Sequence, residues 1–333
     1  MKIYDVAIIG CGSIGAMKSD SIDYPGSSNI LTHANAVDRH PRTKLSILND
    51  INDKQLQKAF NKWQPSMASK YFQDILNMHP DIIIITTPTG IHYDILIDLI
   101  INQNLPKLII AEKPFCSNLR EANEIIEKSK ECCTDGRRKI PIMIDYIRRY
   151  AQGYKDIKKQ IDSRTFGKAL NCRVLYTRGM HDCCHAVDLM RYFFGEYIFI
   201  DYVESKNFII DRDKNDPTIY FKMSFENCPH VTFSPCDGRK YGIFEIDICF
   251  EKCRLRFIDN GLYVEKYPIN QENEWGHKSL DYKLTSVVRQ ETGLNIALYG
   301  LIDNAVNFLD GKEDLICTDK DAIAVHEILE GLK

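Results

Sequence analysis

The sequence predicts an α/β protein of two domains, in which a doubly wound parallel sheet is followed by an α/β domain with a large, mostly antiparallel open sheet. Three observations predict this fold. Short apolar runs alternate with helical patterns through the first part of the chain. A glycine-rich turn directly follows the first apolar run. After residue 195, a succession of strand-like runs with turn residues between them replaces the alternation.

Five apolar runs predict the strands of the first sheet. They cover residues 4–9, 44–48, 81–86, 107–111 and 140–144. The runs are nearly continuous rather than alternating, which indicates strands covered by helices on both faces. Helical patterns lie between the runs, at residues 53–62, 91–103 and 119–132. Because the texture changes near residue 150, we divide the chain into a first domain, residues 1–148, and a second domain, residues 149–333.

The second domain begins with a helical pattern and continues as a largely antiparallel sheet. Helices are predicted at residues 153–161, 186–194, 294–309 and 319–332. Strands are predicted at residues 169–178, 197–203, 218–225, 230–234, 242–250, 254–258 and 262–267.

The composition is that of an ordinary soluble globular protein, with 44% hydrophobic and 27% charged residues. A net charge of −3 argues against the broad basic surface that nucleic-acid binding needs. No stretch reaches the roughly 18 apolar residues of a membrane span, and the first apolar run is too short for an export signal. The 12 cysteines are therefore interpreted as reduced, buried thiols, and we expect cytoplasmic residence.

The glycine-rich turn has the pattern of a dinucleotide-binding site. Gly10 permits a tight turn, Gly12 lets the backbone approach a pyrophosphate, and Gly15 lets a helix pack closely on the strand. The N-terminus of the helix that follows, with Ser13 and Ile14, offers unpaired N–H groups to the phosphates. The alternative is a glycine-rich turn that binds no ligand.

Asp50 follows the second predicted strand and is the expected acceptor for the adenosine ribose hydroxyls. Its charge would repel a 2′-phosphate, so we expect NAD as the cofactor, with NADP less favoured; Lys44 or Lys54 could still admit NADP. A polar insert, residues 19–29, lengthens the spacing from the turn, and it is either a lid or a solvated excursion. The alternative role for Asp50 is to cap the helix that begins near Asp53.

Three further motifs follow. Two lie at the carboxyl ends of predicted strands, where ligands bind in such folds, and the third lies just before a helix of the second domain. They are Thr87-Pro88-Thr89 with His92, Glu112-Lys113-Pro114, and His181-Asp182-Cys183-Cys184-His185 with Asp188. Together with the glycine turn, Arg148-Arg149-Tyr150 and Phe166-Gly167, their order resembles the glucose–fructose oxidoreductase and inositol dehydrogenase (Gfo/Idh/MocA) family.

The resemblance spans most of the chain and carries expectations about fold and function. It implies a Rossmann domain, an open-sheet second domain and NAD(P) as cofactor. Its substrates would be sugars, cyclitols or their derivatives. It also implies a homodimer or homotetramer that associates through the second sheet. By the resemblance, the segments Thr87–Thr89, His92 and Glu112–Lys113 contribute to the cofactor site.

Lys113 is implied by the resemblance as the residue that touches both substrate and nicotinamide. A donor held against the substrate oxygen would stabilise the charge that develops as hydride leaves. Burial beside a cationic nicotinamide would lower the lysine pKa. The alternative is a surface lysine before a turn-forming proline.

His185 resembles the family's general acid–base, since an imidazole can take the hydroxyl proton and return it. Many relatives carry an aspartate four residues earlier, where this chain has His181, followed by Asp182. Either residue could replace the aspartate or contact the substrate. Arg149 and Tyr150 are candidates for positioning substrate, and the alternative is a solvated helix start.

Three other functions remain open at this point. The adjacent Cys183 and Cys184 do not form a C-x-x-C chelate, so we expect no metal site, although a zinc hydrolase is the rival enzyme class. A reductase or dehydrogenase of sugar nucleotides in surface-glycan synthesis is the nearer alternative. A non-catalytic NAD-binding regulator is the third.

Overall fold

The computed structural model describes residues 2–102, 106–134, 139–204, 209–214, 216–272 and 274–332. Its contacts divide the chain into two units. The first unit comprises residues 1–150 and 295–327, and the second comprises residues 151–294 and 328–333. This grouping differs from the predicted domains, because it places most of the two C-terminal helices with the first unit.

The first unit is built on a six-stranded parallel sheet. Its strands are β1 (Tyr4–Ile9), β2 (Thr43–Asn49), β3 (Met67–Ser69), β4 (Ile82–Ile85), β5 (Leu108–Ala111) and β6 (Ile142–Ile144). They lie in the order β3-β2-β1-β4-β5-β6, and each neighbouring pair is parallel. This is the doubly wound order in which ligands bind at the carboxyl ends of the strands, so the predicted fold class is confirmed.

Helices connect these strands. They are α1 (His33–Arg39), α2 (Asp53–Trp63), α3 (Phe72–Met78), α4 (His92–Ile101) and α5 (Leu119–Thr134). The three long helical patterns correspond to α2, α4 and α5; residue 103, the predicted end of α4, lies outside the described residues. The elements α1, α3 and β3 were not predicted, because each is too short to show a clear period.

The second unit contains an eight-stranded, mostly antiparallel sheet. Its elements are α6 (Gln152–Asp162), β7 (Ala169–Tyr176), α7 (Gly179–Phe194), β8 (Tyr197–Val203), β9 (Ile209–Asp213), β10 (Asp216–Thr218), β11 (Phe221–Phe225), β12 (Cys228–Pro235), β13 (Phe244–Phe250), β14 (Cys253–Ile258), β15 (Tyr263–Pro268) and β16 (Val288–Glu291). The order is β16-β15-β14-β13-β7-β12-β11-β8, with β9 and β10 paired separately. Only the β7–β12 pair of this large sheet is parallel among the described strands.

One face of this sheet is covered by α6 and α7. Aromatic rings join them to the sheet, since Tyr154 of α6 stacks on Phe257 of β14 and Phe193 of α7 packs against it at a tilt. The opposite face is half-exposed and polar, and it carries the ion pair between Arg254 and Asp247. The sequence predicted this open sheet.

Two further helices follow the second sheet, α8 (Ala297–Leu309) and α9 (Asp319–Glu330). The first packs against α1 and against Ile147–Tyr150. The approach is close: a Cβ on Gly300 would lie 2.5 Å from the Tyr150 carbonyl oxygen. Among the described residues, no helix combines the length and apolar character that crossing a membrane requires.

Candidate active site

The glycine turn packs against the end of the neighbouring strand β4, and two of its glycines have no space for a side chain. Gly10 has φ +99°, and a Cβ there would lie 2.9 Å from the backbone of Thr86. A Cβ on Gly15 would lie 2.1 Å from the Gly10 carbonyl oxygen. The first and third glycines are therefore required by packing, as the motif predicted.

Gly12 differs, because the space beside it is open. A Cβ at this position would meet only the Gln55 side-chain amide, at 3.6 Å. Gly12 opens a single helical turn, in which Ala16 N–H donates to the Gly12 carbonyl at 3.0 Å. The N–H groups of a first turn have no partner within the helix, and Ser13 and Ile14 belong to this turn. A free approach beside unpaired N–H groups fits a pyrophosphate.

The helix that was expected to follow the turn is interrupted. After one turn the chain leaves, and the helix resumes at His33 as α1. His33 N–H donates to the Ile14 carbonyl at 3.0 Å, and Ala34 N–H donates to the Gly15 carbonyl at 2.9 Å. Residues 33 and 34 thus make the hydrogen bonds that the next turn of a continuous helix would make. The insert therefore lies within the helix whose N-terminus the glycine turn predicted.

The insert is a built structure rather than a solvated excursion. Asp23 is fully buried. Its carboxylate accepts hydrogen bonds from Leu31 N–H, the Thr32 hydroxyl and the Asn35 side-chain amide, each at 2.8 Å. Thr32 in turn caps α1 by accepting from Asn35 N–H. The insert therefore fixes the start of α1; whether it also acts as a lid stays a prediction.

Asp50 lies beside the glycine turn at the end of β2. One carboxylate oxygen accepts from Cys11 N–H at 2.8 Å, and the other accepts from Asn52 N–H at 2.8 Å. The cap of α2 is Asn52, which accepts from Lys54 N–H and Gln55 N–H, so the alternative capping role for Asp50 was wrong. Asp50 remains half-exposed, and each of its oxygens keeps a lone pair for ribose hydroxyls.

The end of β4 lies over the turn. The Thr86 hydroxyl donates to the Gly10 carbonyl at 2.5 Å, which ties the two strand ends together. The Thr87 hydroxyl oxygen is buried and has no hydrogen-bond partner among the described residues. Pro88 is exposed and Thr89 is half-buried. An unpaired hydroxyl at a ligand-binding edge favours the predicted cofactor contact at Thr87.

His92 is not exposed at this edge. Its side chain is fully buried. One ring nitrogen lies 2.7 Å from the Thr87 carbonyl oxygen, and the other lies 3.2 Å from the Phe115 carbonyl oxygen. The ring therefore holds together the segments that follow β4 and β5. A direct contact with cofactor was predicted for His92, and its burial favours a positioning role instead.

Lys113 follows β5 at the same edge of the sheet. Glu112 N–H continues the strand ladder by donating to the Ile85 carbonyl at 3.0 Å. The Lys113 side chain is half-buried, and the Lys113–Pro114 peptide is cis. Phe115 beyond it is fully buried and anchors the segment. The half-buried side chain argues against the alternative of a freely exposed surface lysine.

A buried charge cluster, formed by His33, Glu112 and Asp145, lies directly behind Lys113. Nε2 of His33 lies 3.0 Å from Oε1 of Glu112 and 3.4 Å from Oδ2 of Asp145. The other Glu112 oxygen, Oε2, accepts from Lys113 N–H at 3.2 Å. His33 is fully buried and Asp145 is 3% exposed. Three elements, α1, β5 and β6, therefore meet behind the predicted catalytic lysine.

The cluster shifts the pKa of each member. Burial alone would lower the pKa of His33, but its hydrogen bonds to Asp145 and Glu112 outweigh burial and raise it to about 9. Burial and the Glu112 charge raise the pKa of Asp145 to about 6. For Glu112, contact with His33 outweighs burial and lowers the pKa. An imidazolium between two carboxylates is the state that these contacts favour at neutral pH.

Among the described residues, this cluster is also the one group with the donors for a metal ion. Its three facing atoms lie within 4.8 Å of one another. However, Nε2 of His33 is within hydrogen-bond distance of a carboxylate, so its N–H occupies the place of an ion. We therefore assign the group as a hydrogen-bonded charge cluster.

In the second unit, the His181–His185 motif lies inside α7 rather than before a helix. The helix begins at Gly179, seven residues earlier than the predicted residue 186. It is capped from a distant strand, because the Asp216 carboxylate accepts from His181 N–H at 3.2 Å. A Cβ on Gly179 would lie 2.4 Å from Asp216, so only glycine fits there. Local sequence could not reveal this cap.

The helix places His185 one turn after both His181 and Asp182, and all three side chains are half-buried. Asp182 forms an ion pair with Arg178 at 3.3 Å. Asp188 lies one further turn along and is buried. Helical spacing therefore brings the predicted acid–base histidine beside either candidate for the family aspartate, and the choice between them stays open.

The cysteines of this motif are buried thiols. Burial raises the pKa of the Cys183 thiol well above its usual value, which disfavours the thiolate that zinc requires. Cys184 is also buried, and its thiol lies 2.9 Å from the His181 carbonyl oxygen. The cysteine side chains that the structure describes form no disulfides, and all but Cys236 and Cys249 are buried.

Arg149 and Tyr150 are turned into the first unit. Arg149 donates to the Ile316 carbonyl at 3.2 Å and pairs with Asp321 at 3.1 Å. The Tyr150 hydroxyl donates to the Ile144 carbonyl at 2.9 Å. Both side chains are buried, so the predicted contact with substrate is disfavoured, and so is the alternative of a solvated helix start.

Sequence reasoning missed His33, Asp145 and Asp23. His33 belongs to no motif, because the insert separates it from the glycine turn. Asp145 could have been found, since it directly follows a strand of the parallel sheet, as Glu112 does, and ligand-side residues occupy such positions. Asp23 carries no local signal of burial.

The first part of the chain is similar in sequence to known oxidoreductases. Residues 4–133 match the oxidoreductase family with an NAD-binding Rossmann fold, GFO_IDH_MocA. An inositol 2-dehydrogenase of Gluconacetobacter diazotrophicus is 27% identical over 135 residues, 40% of this chain and 38% of that protein. A scyllo-inositol 2-dehydrogenase (NAD(+)) of Bacillus subtilis is 29% identical over 133 residues, 35% of this chain and 36% of that protein. The matches thus span little more than a third of these relatives.

Solved structures match along nearly the whole chain. The WlbA dehydrogenase from Bordetella pertussis, in complex with NADH and UDP-GlcNAcA, has a TM-score of 0.74 at 16% identity and covers 99% of this chain and 94% of that one. The UDP-N-acetylglucosamine 3-dehydrogenase GnnA from Acidithiobacillus ferrooxidans has a TM-score of 0.70 at 14% identity, covering 100% and 97%. At these identities the likeness shows the fold.

Proposed function

We propose that this chain, whose residues 4–133 match the Gfo/Idh/MocA family of NAD-binding oxidoreductases, acts on the CH–OH group of a carbohydrate. It transfers hydride to or from a hydroxyl or keto carbon of a sugar, cyclitol or sugar derivative. Sugar nucleotides belong to this class: the WlbA structure holds UDP-GlcNAcA, and GnnA is named as a UDP-N-acetylglucosamine 3-dehydrogenase. Cytoplasmic residence is part of the proposal.

One observation carries the proposal. The open approach at Gly12 and the half-buried Lys113 lie at the carboxyl edge of one parallel sheet, on the neighbouring series of strands β1, β4 and β5. In doubly wound folds, dinucleotides bind across this edge. This position supports the proposal that Lys113 holds a substrate beside the nicotinamide.

NAD, when bound, supplies the acceptor or donor of the hydride. The Lys113 ammonium donates a hydrogen bond to the reacting substrate oxygen and stabilises the negative charge that develops there. His185 takes the proton of the hydroxyl in oxidation and returns it in reduction. His181 or Asp182, one turn earlier on α7, supports the imidazole or contacts the substrate.

Asp50 sets the preference for NAD over NADP in this proposal. Its carboxylate is fixed by Cys11 N–H and Asn52 N–H, so it cannot turn away from the ribose without breaking both bonds. A 2′-phosphate would meet this charge at close range.

The test is NADH formation or consumption by the purified full chain. A panel of inositols, hexoses, hexuronates and UDP-N-acetylhexosamines, with their keto forms, is supplied with NAD or NADH. We expect turnover with at least one member of the panel. Lys113→Ala should lower kcat by about 10²-fold or more, because a donor to the developing charge is lost, while NAD affinity stays within about threefold.

Lys107→Ala is the matched control, because Lys107 precedes the same strand at the opposite edge of the sheet and pairs with Asp81. It should retain wild-type kcat. Unchanged turnover in Lys113→Ala would remove the proposed role of the lysine. NAD binding without turnover of any panel member would favour the regulator.

A further inference from the structure

The cluster of His33, Glu112 and Asp145 is not used by the proposed mechanism. It is nevertheless in contact with Lys113, because Oε2 of Glu112 accepts the Lys113 N–H at 3.2 Å. The other Glu112 oxygen lies 3.0 Å from His33. Glu112 therefore connects a buried imidazole on α1 to the backbone of the predicted catalytic lysine.

We propose that His33 is a positioning residue for Lys113, acting through Glu112 while Asp145 holds the imidazole from the other side. The inference rests on the proposed function, since it requires that Lys113 act on substrate.

Charge balance explains why the imidazole is needed. The facing oxygens of the Glu112 and Asp145 carboxylates lie within 4.8 Å of each other. Two buried carboxylates this close repel each other unless a cation lies between them. The charged groups that face His33 from the packed elements are Glu112 at the end of β5 and Asp145 at the end of β6. Without His33, Glu112 must turn away or take up a proton, and Lys113 N–H then loses its charged acceptor.

Two unsatisfied atoms support an arrangement set by charge rather than by complete hydrogen bonding. Nδ1 of His33 and Oδ1 of Asp145 are buried and have no hydrogen-bond partner among the described residues. Leaving buried polar atoms unpaired costs stability. Unpaired buried groups in a native structure therefore require an explanation, such as a role in a functional site.

The insert contributes to this arrangement. Asp23 bonds Thr32 and Asn35, the residues on either side of the His33–Ala34 pair. The imidazole is thus held at a helix start that the buried Asp23 carboxylate fixes in place. A role in positioning Lys113 gives the insert a function that a solvated excursion would lack.

The experiment compares His33→Gln and Asp145→Asn with wild type, by kcat, KM, NAD affinity and the pH dependence of kcat. We expect kcat to fall about tenfold or more in His33→Gln, with NAD affinity within about threefold, because the lysine is misplaced and the glycine turn is not. In wild type, kcat should fall as pH rises through about 9, where His33 loses its proton, and this limb should be absent from His33→Gln. Asp145→Asn keeps the imidazole and should show a smaller loss.

His40→Gln is the matched control, since His40 is a buried histidine at the other end of α1 and faces the Asp303 carboxylate at 3.4 Å. It should lose stability without losing kcat. If Lys113→Ala abolishes turnover while His33→Gln and Asp145→Asn retain wild-type kcat and pH profile, this inference fails and the proposed function stands. If Lys113→Ala retains wild-type turnover, the proposed role of the lysine fails and this inference falls with it, whereas wild type that turns over no member of the panel would refute the proposed function. A stoichiometric divalent metal in wild type that is lost from His33→Gln would also overturn the inference.

Discussion

At the scale of single residues, the glycine turn separates the requirements of binding from those of folding. Gly12→Ala should fold normally, because the new methyl group meets nothing closer than 3.6 Å. It should bind NAD at least about tenfold more weakly, since the methyl group takes the space of a phosphate. Calorimetric titration with NAD and thermal unfolding measure the two effects.

Gly15→Ala is the control for Gly12→Ala. Its Cβ would overlap the Gly10 carbonyl at 2.1 Å, so this variant should be strongly destabilised or fail to fold. Wild-type NAD affinity in Gly12→Ala would contradict the phosphate site.

Asp50 provides the second prediction. Asp50→Asn keeps an oxygen that can accept from Cys11 N–H but removes the charge that would face a 2′-phosphate. We expect affinity for NADP relative to NAD to rise about tenfold, as the loss of a repulsion of about 1 kcal/mol or more implies. Asp53→Asn, on the exposed start of α2, is the control and should leave the ratio unchanged. A ratio unaltered in Asp50→Asn would show that the carboxylate does not face the ribose.

The raised pKa of His33 predicts a pH dependence of stability. Because the folded-state pKa of about 9 exceeds the ordinary value of 6.5, its contribution is complete below pH 6.5 and is lost as pH rises through 9. The free energy of unfolding of wild type relative to His33→Gln should therefore shrink between these pH values, by up to about 3 kcal/mol. Denaturant titration across this range measures it.

His40 provides the opposite sign. Burial lowers the pKa of His40, so wild type should lose stability relative to His40→Gln as pH falls below 6.5. A His33→Gln difference that is constant from pH 6.5 to 9 would mean that the imidazole carries no extra proton in the folded state.

His33 shows which contacts could not be predicted from the sequence. The glycine turn, Asp50 and Lys113 were predicted because each has a fixed place relative to a strand. The partners of Glu112 were not, because His33 and Asp145 meet it only when α1 and β6 pack beside β5. Contacts between distant elements leave no spacing in the chain.

At the scale of elements, the split helix is the clearest departure from expectation. The motif predicted only the start of a helix at the glycine turn, whereas His33 continues that helix across the insert through its bond to Ile14. A helix interrupted after one turn shows no periodicity, so only the strand and the glycines before it could be recognised.

The split helix predicts the result of a deletion. Removal of residues 17–31 joins Ala16 to Thr32 and places His33 four residues after Ile14, so that a continuous helix forms with its existing hydrogen bond. The deletion is combined with Asn35→Ala, because the Asn35 amide loses its partners in the insert. We expect a folded protein that binds NAD within about threefold of wild type, since the glycine turn is unchanged.

Loss of NAD binding in a folded deletion variant would contradict this prediction and would mean that the insert contacts the cofactor itself. Asn35→Ala without the deletion is the control, because it removes one of the hydrogen bonds to the buried Asp23 carboxylate but keeps the insert. It should be less stable than wild type.

A second element, α7, was predicted seven residues too short for a related reason. Its first turns carry polar residues and cysteines, which give no apolar stripe. Its cap comes from Asp216, across the unit. Helix starts that depend on tertiary caps are not readable from local sequence.

At the scale of the whole molecule, the order of strands and helices was enough to predict both sheets. The parallel first sheet and the open second sheet follow from sequence patterns that extend over many residues. The grouping of the C-terminal helices with the first unit could not be predicted in the same way. The helix α8 packs on α1 although it follows the second sheet in the chain.

The open sheet carries the last prediction, a homodimer or homotetramer that associates through the half-exposed face. This face is charged: Asp247 on β13 lies opposite Arg173 on β7 and Arg256 on β14, and it bonds Arg254. An interface built on such charges should weaken with rising salt, because surface charges are screened. Light scattering after size exclusion, at low and high ionic strength, measures the mass.

Arg173→Glu should dissociate the oligomer, because it places a second negative charge beside Asp247 on the central strand of the proposed interface. Lys159→Glu, an exposed reversal on α6 against the covered face of the same sheet, is its control and should keep the wild-type mass. An Arg173→Glu variant with unchanged mass would move the interface elsewhere. A wild-type chain that is monomeric at low salt would instead leave this charged face exposed to solvent in the free protein, and any substrate site would then have to be complete within one copy of the chain.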